Sequence, residues 1–411
     1  AVARNSAPAD ALLEATLARF TRDELLDRGL AHGAVIAPVY TQPEAVAKGV
    51  FRPGFMADGN PAMPFVVAQT AGHGAVAPVS QQVSHPTQPL AGLRVIELAW
   101  IWSGPMVGQM LADLGAEVIK VESATRFDLY RTRGFETMRG KMDEATRIES
   151  SLYFHSLNRN KIGLSIDLKS AEGRDALLEL AATSHLIIEN FTVGTLERLS
   201  LGSAVLADAN PSLVQLSMSG PGRGSAVEDL RSYGLVLSAL AGAEAHIATD
   251  GEFVGSPTFS ISDPNAALFA TLAALAGVLS ARESGRGMTV DLSQIEAAAT
   301  LAGTPAQSPV AEVQGLDDGH YTMRERGQPG RAPVLDLQDT DDAAEFADCS
   351  GWMVANHPVT GPEQLVAAPW RAAGQRPPLR CTAPLLGSGN RFVLGDILGW
   401  PDERIDALSR P

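Results

Sequence analysis

From Leu90 onward the chain alternates short, continuous apolar runs with longer segments whose apolar residues recur every three or four positions. LRVIELA (93–99), AEVIKVE (116–122), HLIIENF (185–191) and SLVQLSMSG (212–220) are runs of strand length bounded by turn residues. Between and after them, SGPMVGQMLADLG, the stretch 171–183, a short segment from Gly194, RSYGLVLSALAGA and the segment 264–282 read as helices. Ser103 is expected to cap the first of these, with Pro105 at its first position. Strand, helix, strand in this order predicts a parallel sheet, and the expected architecture is an open α/β sheet covered by helices on both faces.

The flanks have other rhythms. Residues 1–67 form a unit in which ADALLEATLARFTRDELLDRGLAHG is helical and AVIAPVYTQPEAVAKGVF is expected to be a strand followed by a short helix. Residues 68–89 are small, polar and punctuated by Pro and Gly, the composition of a linker. The block 90–302 is then the large domain, 303–350 an irregular Pro-, Gly- and Asp-rich connection, and 351–411 a C-terminal segment ending in a turn and two short helices.

Composition narrows the function. A 411-residue chain that is 45% hydrophobic and 19% charged can bury a sizeable core. Its net charge of −15 excludes a general affinity for nucleic acid or anionic membranes, while leaving room for an anionic ligand held by a few local cations. Two cysteines without paired spacing, and eight histidines without a ligand motif, predict neither a disulfide framework nor a metal. The apolar run 266–281 is shorter than the ~20 residues of a membrane span, and the start of the chain does not read as a signal peptide. The expected location is cytoplasmic.

One carboxylate stands out. Asp263 heads a run of small and apolar residues that holds no further acid until Glu283. Asp followed by Pro264 is a good helix start, so a capping role accounts for it fully. The same placement would favour an ionised carboxylate, which is what nucleophilic catalysis requires. Local sequence leaves both readings open. The loop AWIWSGP (99–105) joins a strand to a helix, where free N–H groups can receive an anion or carbonyl oxygen. Lys169, Arg198 and Arg231 lie at element ends, each an ordinary surface charge alone and together a set able to neutralise a phosphorylated ligand. His155 and His246 show no partner in sequence, and the structural reading is preferred for both.

Five stretches in order, LAGLRVIELAWIWSGPMVGQMLADLGAEVIKVE, SLYFHSLNRNKIGLSIDLKSAEGRDALLEL, IIENFTVGTLERLSL, NPSLVQLSMSGPG and SDPNAALFATLAALAGVLSARESGRGMTVDLS, resemble the class III CoA-transferase family, which includes formyl-CoA and carnitine CoA-transferases and alpha-methylacyl-CoA racemase. The resemblance runs through 90–300, and APLLGSGNRFVLGDILGWPDERIDAL is similar to the family's C-terminal end. It implies a Rossmann-like large domain that binds CoA, a small domain over the acyl site, and an interlocked homodimer. It also implies CoA transfer between carboxylic acids through an aspartyl intermediate at the position of Asp263. Acyl-CoA is then a substrate, with no permanently bound cofactor, and a carboxylic acid is the acceptor.

By the same resemblance, Trp102 and Ser103 meet the thioester end of CoA. Ile166, Lys169, Asn190, Phe191, Thr192, Arg198, Arg231 and Tyr233 match CoA-contacting segments. Tyr233 stands where the racemases carry a proton-shuttling His, and a phenol is a poor base near neutral pH, which favours transfer over racemisation.

The chain also departs from the family. Ser123 replaces an Arg, Trp102 replaces a smaller or polar residue, and the Gly-rich loop that covers some active sites is not visible in 303–350. Residues 9–67 resemble the closing part of a small domain that ordinarily follows the large one, so the small domain is expected to be reduced and rearranged. Two other functions stay open. One is a lyase, dehydratase or isomerase of an acyl thioester or related acid on the same fold; the other, motivated by the altered order of parts, is a non-catalytic CoA-binding subunit that needs a partner chain.

Overall fold

The computed structural model describes residues 7–70, 72, 74, 86–133, 143–246, 248–249, 252–253, 260–302, 311–315, 321–325, 332–334, 351–372 and 374–408. Its centre is a seven-stranded sheet made of β1 (Phe65–Gln69), β2 (Arg94–Glu97), β3 (Glu117–Glu122), β4 (Lys161–Ser165), β5 (Leu186–Glu189), β6 (Val214–Ser219) and β7 (Met288–Ser293). The order is β1-β7-β6-β5-β2-β3-β4. Strands β2 to β7 are parallel, and β1 closes the far edge antiparallel to β7, with Phe65 opposite Leu292 and Gln69 opposite Met288. The parallel part is the doubly wound order in which the chain first travels outward from β2 and then returns to β2's other side. That reversal opens a crevice beyond the carboxyl ends of β2 and β5, where such sheets bind ligands.

Both faces are covered as the alternation predicts. On one side, β2, β5, β6 and β7 pack against the helices Ser103–Asp113 and Ser262–Ser284. On the other, Ile96, Ile119, Leu164 and Ile187 meet Leu177 and Leu180 of the helix Ala171–Ala182 and Val393, Leu394 and Trp400 from the C-terminal segment. That segment reaches β4 directly, Gly389 donating its N–H to the Gly163 carbonyl at 2.8 Å. Each large apolar side chain removed from water here contributes about 1.5–3 kcal/mol.

The helix Ser262–Ser284 is longer than the apolar run suggested. Its 23 residues are enough, by length and composition, to cross a membrane. Ala266, Ala270, Ala273, Ala274, Gly277 and Ala281 form a buried face that lies close on the sheet; a β-carbon at Gly277 would already touch Val214 at 3.0 Å. The opposite face leaves Leu268, Leu272 and Leu279 more than half exposed.

The N-terminal unit is laid against the same end of the large domain. Thr21 and Thr41 each form a capping box, with Glu24 and Glu44, and so start the helices Arg22–His32 and Gln42–Ala47. The strand expected over AVIAPVY is absent: residues 34–40 form no ladder, and Tyr40 instead gives its N–H to the Ala239 carbonyl. Leu26, Tyr40, Val50, Phe51 and Phe55 then bury against Leu230, Leu237, Leu240 and Ile295. Arg52 is buried with them, its Nε 3.0 Å from both Glu296 carboxylate oxygens and its Nη1 2.9 Å from Asp291. Within 303–350, where no element was assigned from sequence, 311–315, 321–325 and 332–334 form a three-stranded antiparallel sheet.

Candidate active site

The crevice at the strand reversal is framed first by two loops. Asn190, just after β5, accepts the Trp100 N–H at 2.8 Å and donates to the Trp100 carbonyl at 2.7 Å, so both ends of its amide are committed to the loop after β2. The next N–H of that loop, from Ile101, goes to Asp128 at 2.9 Å. Ile101 is held at φ +72°, a left-handed conformation that costs a β-branched residue about 1–2 kcal/mol.

What holds it is a buried charge network. Asp128 accepts from Lys120 Nζ at 2.9 Å, which also donates to the Ala99 carbonyl at 2.8 Å and to Glu97 at 3.2 Å. Lys161 lies 2.8 Å from the same Glu97 carboxylate, and all four side chains are fully buried. Removing one partner of such a set leaves an uncompensated charge in the core, so the network fixes the loop firmly.

Asp263 enters this crevice from the helix Ser262–Ser284. The sequence expectation that it caps that helix is not met: Ile261 occupies the cap without a side-chain bond, and Asp263 is the second helical residue. Its carboxylate instead takes a hydrogen bond from the Ser260 side chain. Ser260 Oγ is 2.8 Å from Ser262 Oγ, which donates to the Gly234 carbonyl at 2.9 Å and ties the helix start to the neighbouring helix Gly234–Ala241. Gly234 lies so close that a β-carbon there would overlap both Asp263 Oδ2 and Ser260 Oγ. The helix-start placement, expected to favour the ionised carboxylate, is opposed by burial. Burial pushes its carboxyl up to about 6, although the Ser260 hydrogen bond pulls it down. Near neutral pH the group remains mostly an anion, and a poorly solvated one.

Asp263 separates two chambers. The first is walled by Trp102, Ser103, Asn190, Phe191, Thr192 and Tyr233, with Ser219, Gly220 and Pro221 at its floor. Trp100 stands edge-on to Phe191, ring centroids 5.9 Å apart. Glu189 shapes the turn by accepting the Phe191 N–H at 2.7 Å, and burial raises its carboxyl to about 7 despite that bond and one from Ser217. The second chamber shares Ile101, Trp102, Tyr233, Gly234 and Asp263 with the first, and adds Leu129, Tyr130, Arg133, Leu235 and Ser260.

The structure therefore gathers Trp102, Ser103, Asn190, Phe191, Thr192, Tyr233 and Asp263 around one cleft. It places the remaining sequence candidates outside that lining. Ile166 is a core residue, Lys169 is exposed before the helix Ala171–Ala182, and Arg198 closes its own turn by bonding Thr195 Oγ1 at 2.7 Å. Arg231 is exposed beside Gly33 of the N-terminal unit. Ser103 begins its helix rather than capping it, Trp102 holding the cap position. His155, read as structural, binds Glu363 through Nδ1 at 2.8 Å, and its ring lies 4.0 Å from that of His357. Gly234, Ser260, Tyr130 and Arg133 were missed. Only Gly234 carried a usable signal, a glycine opening a helix directly after a candidate residue.

A family model described as CoA-transferase family III matches residues 90–322, more than half of the chain. The chain belongs to CoA-transferase family III. Its relatives include a succinyl-CoA–D-citramalate CoA-transferase of Chloroflexus aurantiacus, 35% identical over 53% of this chain and 52% of that protein. Another is a succinate–glutarate CoA-transferase of Agrobacterium fabrum, 33% identical over 51% of each. The chain thus spans about half the length of the curated relatives it matches. A solved CaiB/BaiF family protein from Brucella suis superposes with a TM-score of 0.65 at 21% identity, covering 76% of this chain and all of that one, which supports the fold.

Proposed function

We propose that this family III chain moves CoA between two carboxylic acids, with Asp263 as the covalent nucleophile. The observation that carries the reading is the position of the Asp263 carboxylate at the junction of two chambers, close to the constrained Trp100–Trp102 loop. A thioester lying across that junction presents its carbonyl to Asp263. The carboxylate adds to it and CoA thiolate leaves, giving a mixed anhydride. The thiolate then attacks the aspartyl carbonyl, releasing the donor acid and leaving CoA joined to Asp263 as a thioester. The acceptor carboxylate attacks that thioester, CoA thiolate leaves again, and its attack on the acceptor carbonyl of the second anhydride yields the new acyl-CoA and free Asp263. Burial that makes the carboxylate less solvated also makes it a better nucleophile.

In this reading the CoA arm follows Asn190–Thr192 and Ser219–Pro221, and its nucleotide end lies outward, where Arg198 is exposed. Tyr233 is half exposed, and as a phenol it is a poor base for α-proton removal, which weighs against an isomerase. The working unit proposed is a homodimer. The exposed stripe Leu268, Leu272 and Leu279, on the helix that also carries Asp263, is its suggested contact.

Intact-mass measurement after incubation with a panel of acyl-CoAs, followed by hydroxylamine, tests the mechanism. An adduct of CoA mass that hydroxylamine releases and that Asp263→Ala lacks is expected. CoA binding without any adduct would overturn the transferase reading in favour of lyase, isomerase or accessory-subunit roles.

A further inference from the structure

Every nucleophile and leaving group in the proposed transfer, carboxylate or CoA thiolate, is already an anion, so no proton has to move. What each addition does create is a negative charge on a carbonyl oxygen, and a cleft that excludes water needs a donor aimed at that charge. Asp263 cannot supply one, and the walls of the second chamber are largely apolar, from Ile101, Trp102, Leu129 and Leu235. Tyr130 brings a phenol hydroxyl into the same chamber.

Tyr130 lies in the short helical turn Leu129–Thr132 and is held by its backbone and its neighbours. Its N–H goes to Asp128 Oδ1 at 3.0 Å, the same oxygen that takes the Ile101 N–H at 2.9 Å. One carboxylate, itself fixed by Lys120, therefore sets two walls of the chamber relative to each other. The next residue, Arg131, is fully buried, its Nε and Nη2 each 2.9 Å from Glu122 and its Nη1 2.7 Å from Glu149. The Tyr130 ring packs on that of Tyr153, centroids 5.4 Å apart. The residue is partly buried, yet among the described residues its hydroxyl makes no hydrogen bond, which leaves the donor to whatever fills the chamber. Burial, and after it the charges of Asp263 and Asp128, raise the phenol above its ordinary value, with Arg133 in opposition, so it keeps its proton near neutral pH.

We propose that the Tyr130 hydroxyl is a catalytic donor, bonding the acyl carbonyl oxygen in the second chamber while Asp263 attacks the acyl carbon. This rests on the transferase reading above. An oxygen of the Asp263 carboxylate bonds to the thioester carbon, the carbonyl electron pair moves onto oxygen, and Tyr130 donates to that oxyanion. When the pair returns, the carbon–sulfur bond breaks and CoA thiolate leaves, the phenol keeping its proton throughout. The same contact serves the last step, in which thiolate attacks the acyl carbon of the second anhydride. The two steps between take place at the Asp263 carbonyl and do not use it. A neutral phenol suits this role better than a cation, which would pair with the Asp263 carboxylate and blunt its attack.

The test uses the full chain and Tyr130→Phe, which removes the hydroxyl and keeps the ring. With acetyl-CoA and succinyl-CoA among the donors, formation of the CoA adduct should slow by ~100- to 1,000-fold, the usual loss of one oxyanion donor. Affinity for the acyl-CoA should change by no more than ~3-fold and the thermal melt should not move, because the contact acts in the transition state. Hydroxylamine release of an adduct already formed attacks the Asp263 carbonyl and should keep its wild-type rate. Equal slowing of formation and release would overturn the proposal, as would formation within ~3-fold of wild type. A second readout needs no turnover. In Asp263→Asn, the infrared band of an isotope-labelled carbonyl in bound acetyl-CoA or succinyl-CoA should move to higher wavenumber when Tyr130→Phe is added. If no acyl-CoA gives wild type an adduct, the transferase reading falls and this band decides on Tyr130 alone: a shift sustains the contact, and an unmoved band refutes it.

Discussion

Gly234 and Asp263 face each other so closely that no side chain fits between them: a β-carbon on Gly234 would overlap Asp263 Oδ2. The two residues come from different helices, joined by the Ser262 hydroxyl on the Gly234 carbonyl. Gly234→Ala is therefore expected to push the carboxylate out of line and to lower formation of the CoA adduct by ~100-fold, the size of loss that a misplacement of about 1 Å brings. Overpacking here should cost only about 1–3 kcal/mol of stability, and a thermal melt beside the mass measurement separates the two effects.

The raised carboxyl of Asp263 makes two pH predictions. Adduct formation should rise with pH through about 6 and level off above it, because only the anion attacks. Ser260→Ala removes the hydrogen bond that lowers this value, so its limb should move to higher pH. The stability sign is the reverse of an ordinary ion-paired Asp. A carboxyl that holds its proton more tightly in the folded state loses stability as pH climbs from about 4 to 6. Asp263→Asn should accordingly be more stable than wild type at neutral pH, by about 1–3 kcal/mol, and nearly equal to it at pH 4, in denaturant titrations at both pH values.

Asn190 serves the loop before it serves any ligand. With both ends of its amide on Trp100, Asn190→Ala should cost about 1–3 kcal/mol through two lost, partly buried hydrogen bonds. Because the loop itself is loosened, the change should appear in the tryptophan fluorescence of the CoA-free protein. A variant that altered CoA binding with an unchanged apo spectrum and stability would show that this contact does not organise the loop.

The leucine stripe on the Ser262–Ser284 helix makes the oligomeric state testable. Leu272→Glu places a charge in the middle of the exposed apolar face without touching the buried alanines. Light scattering during gel filtration should show a dimer for wild type and a monomer for the variant. A wild-type monomer would remove the homodimer from the proposal.

Much of the frame was legible. The apolar runs at LRVIELA, AEVIKVE, HLIIENF and SLVQLSMSG became β2, β3, β5 and β6, because buried parallel strands are apolar on both faces and announce themselves locally. AVIAPVY misled for the same reason: its apolar residues pack against other helices, and nothing in a single sequence says whether such a run finds a ladder. The capping reading of Asp263 failed because the helix begins one residue earlier, at Ser262 with Ile261 in the cap position, which leaves the Asp263 carboxylate to bond the Ser260 side chain.

What the sequence determined by itself is the alternation of strands and helices, the ordered family motifs, and an acid at the start of one long small-residue helix. Those are local properties, set by periodicity, turn chemistry and spacing along the chain. Tertiary structure alone decided that Gly234 would make room for Asp263, that Asn190 would be spent on Trp100, and that Arg133, 130 residues before Asp263, would share its chamber. Burial reversed the direction in which Asp263's acidity moves, and burial arises only when segments far apart in the chain are packed together.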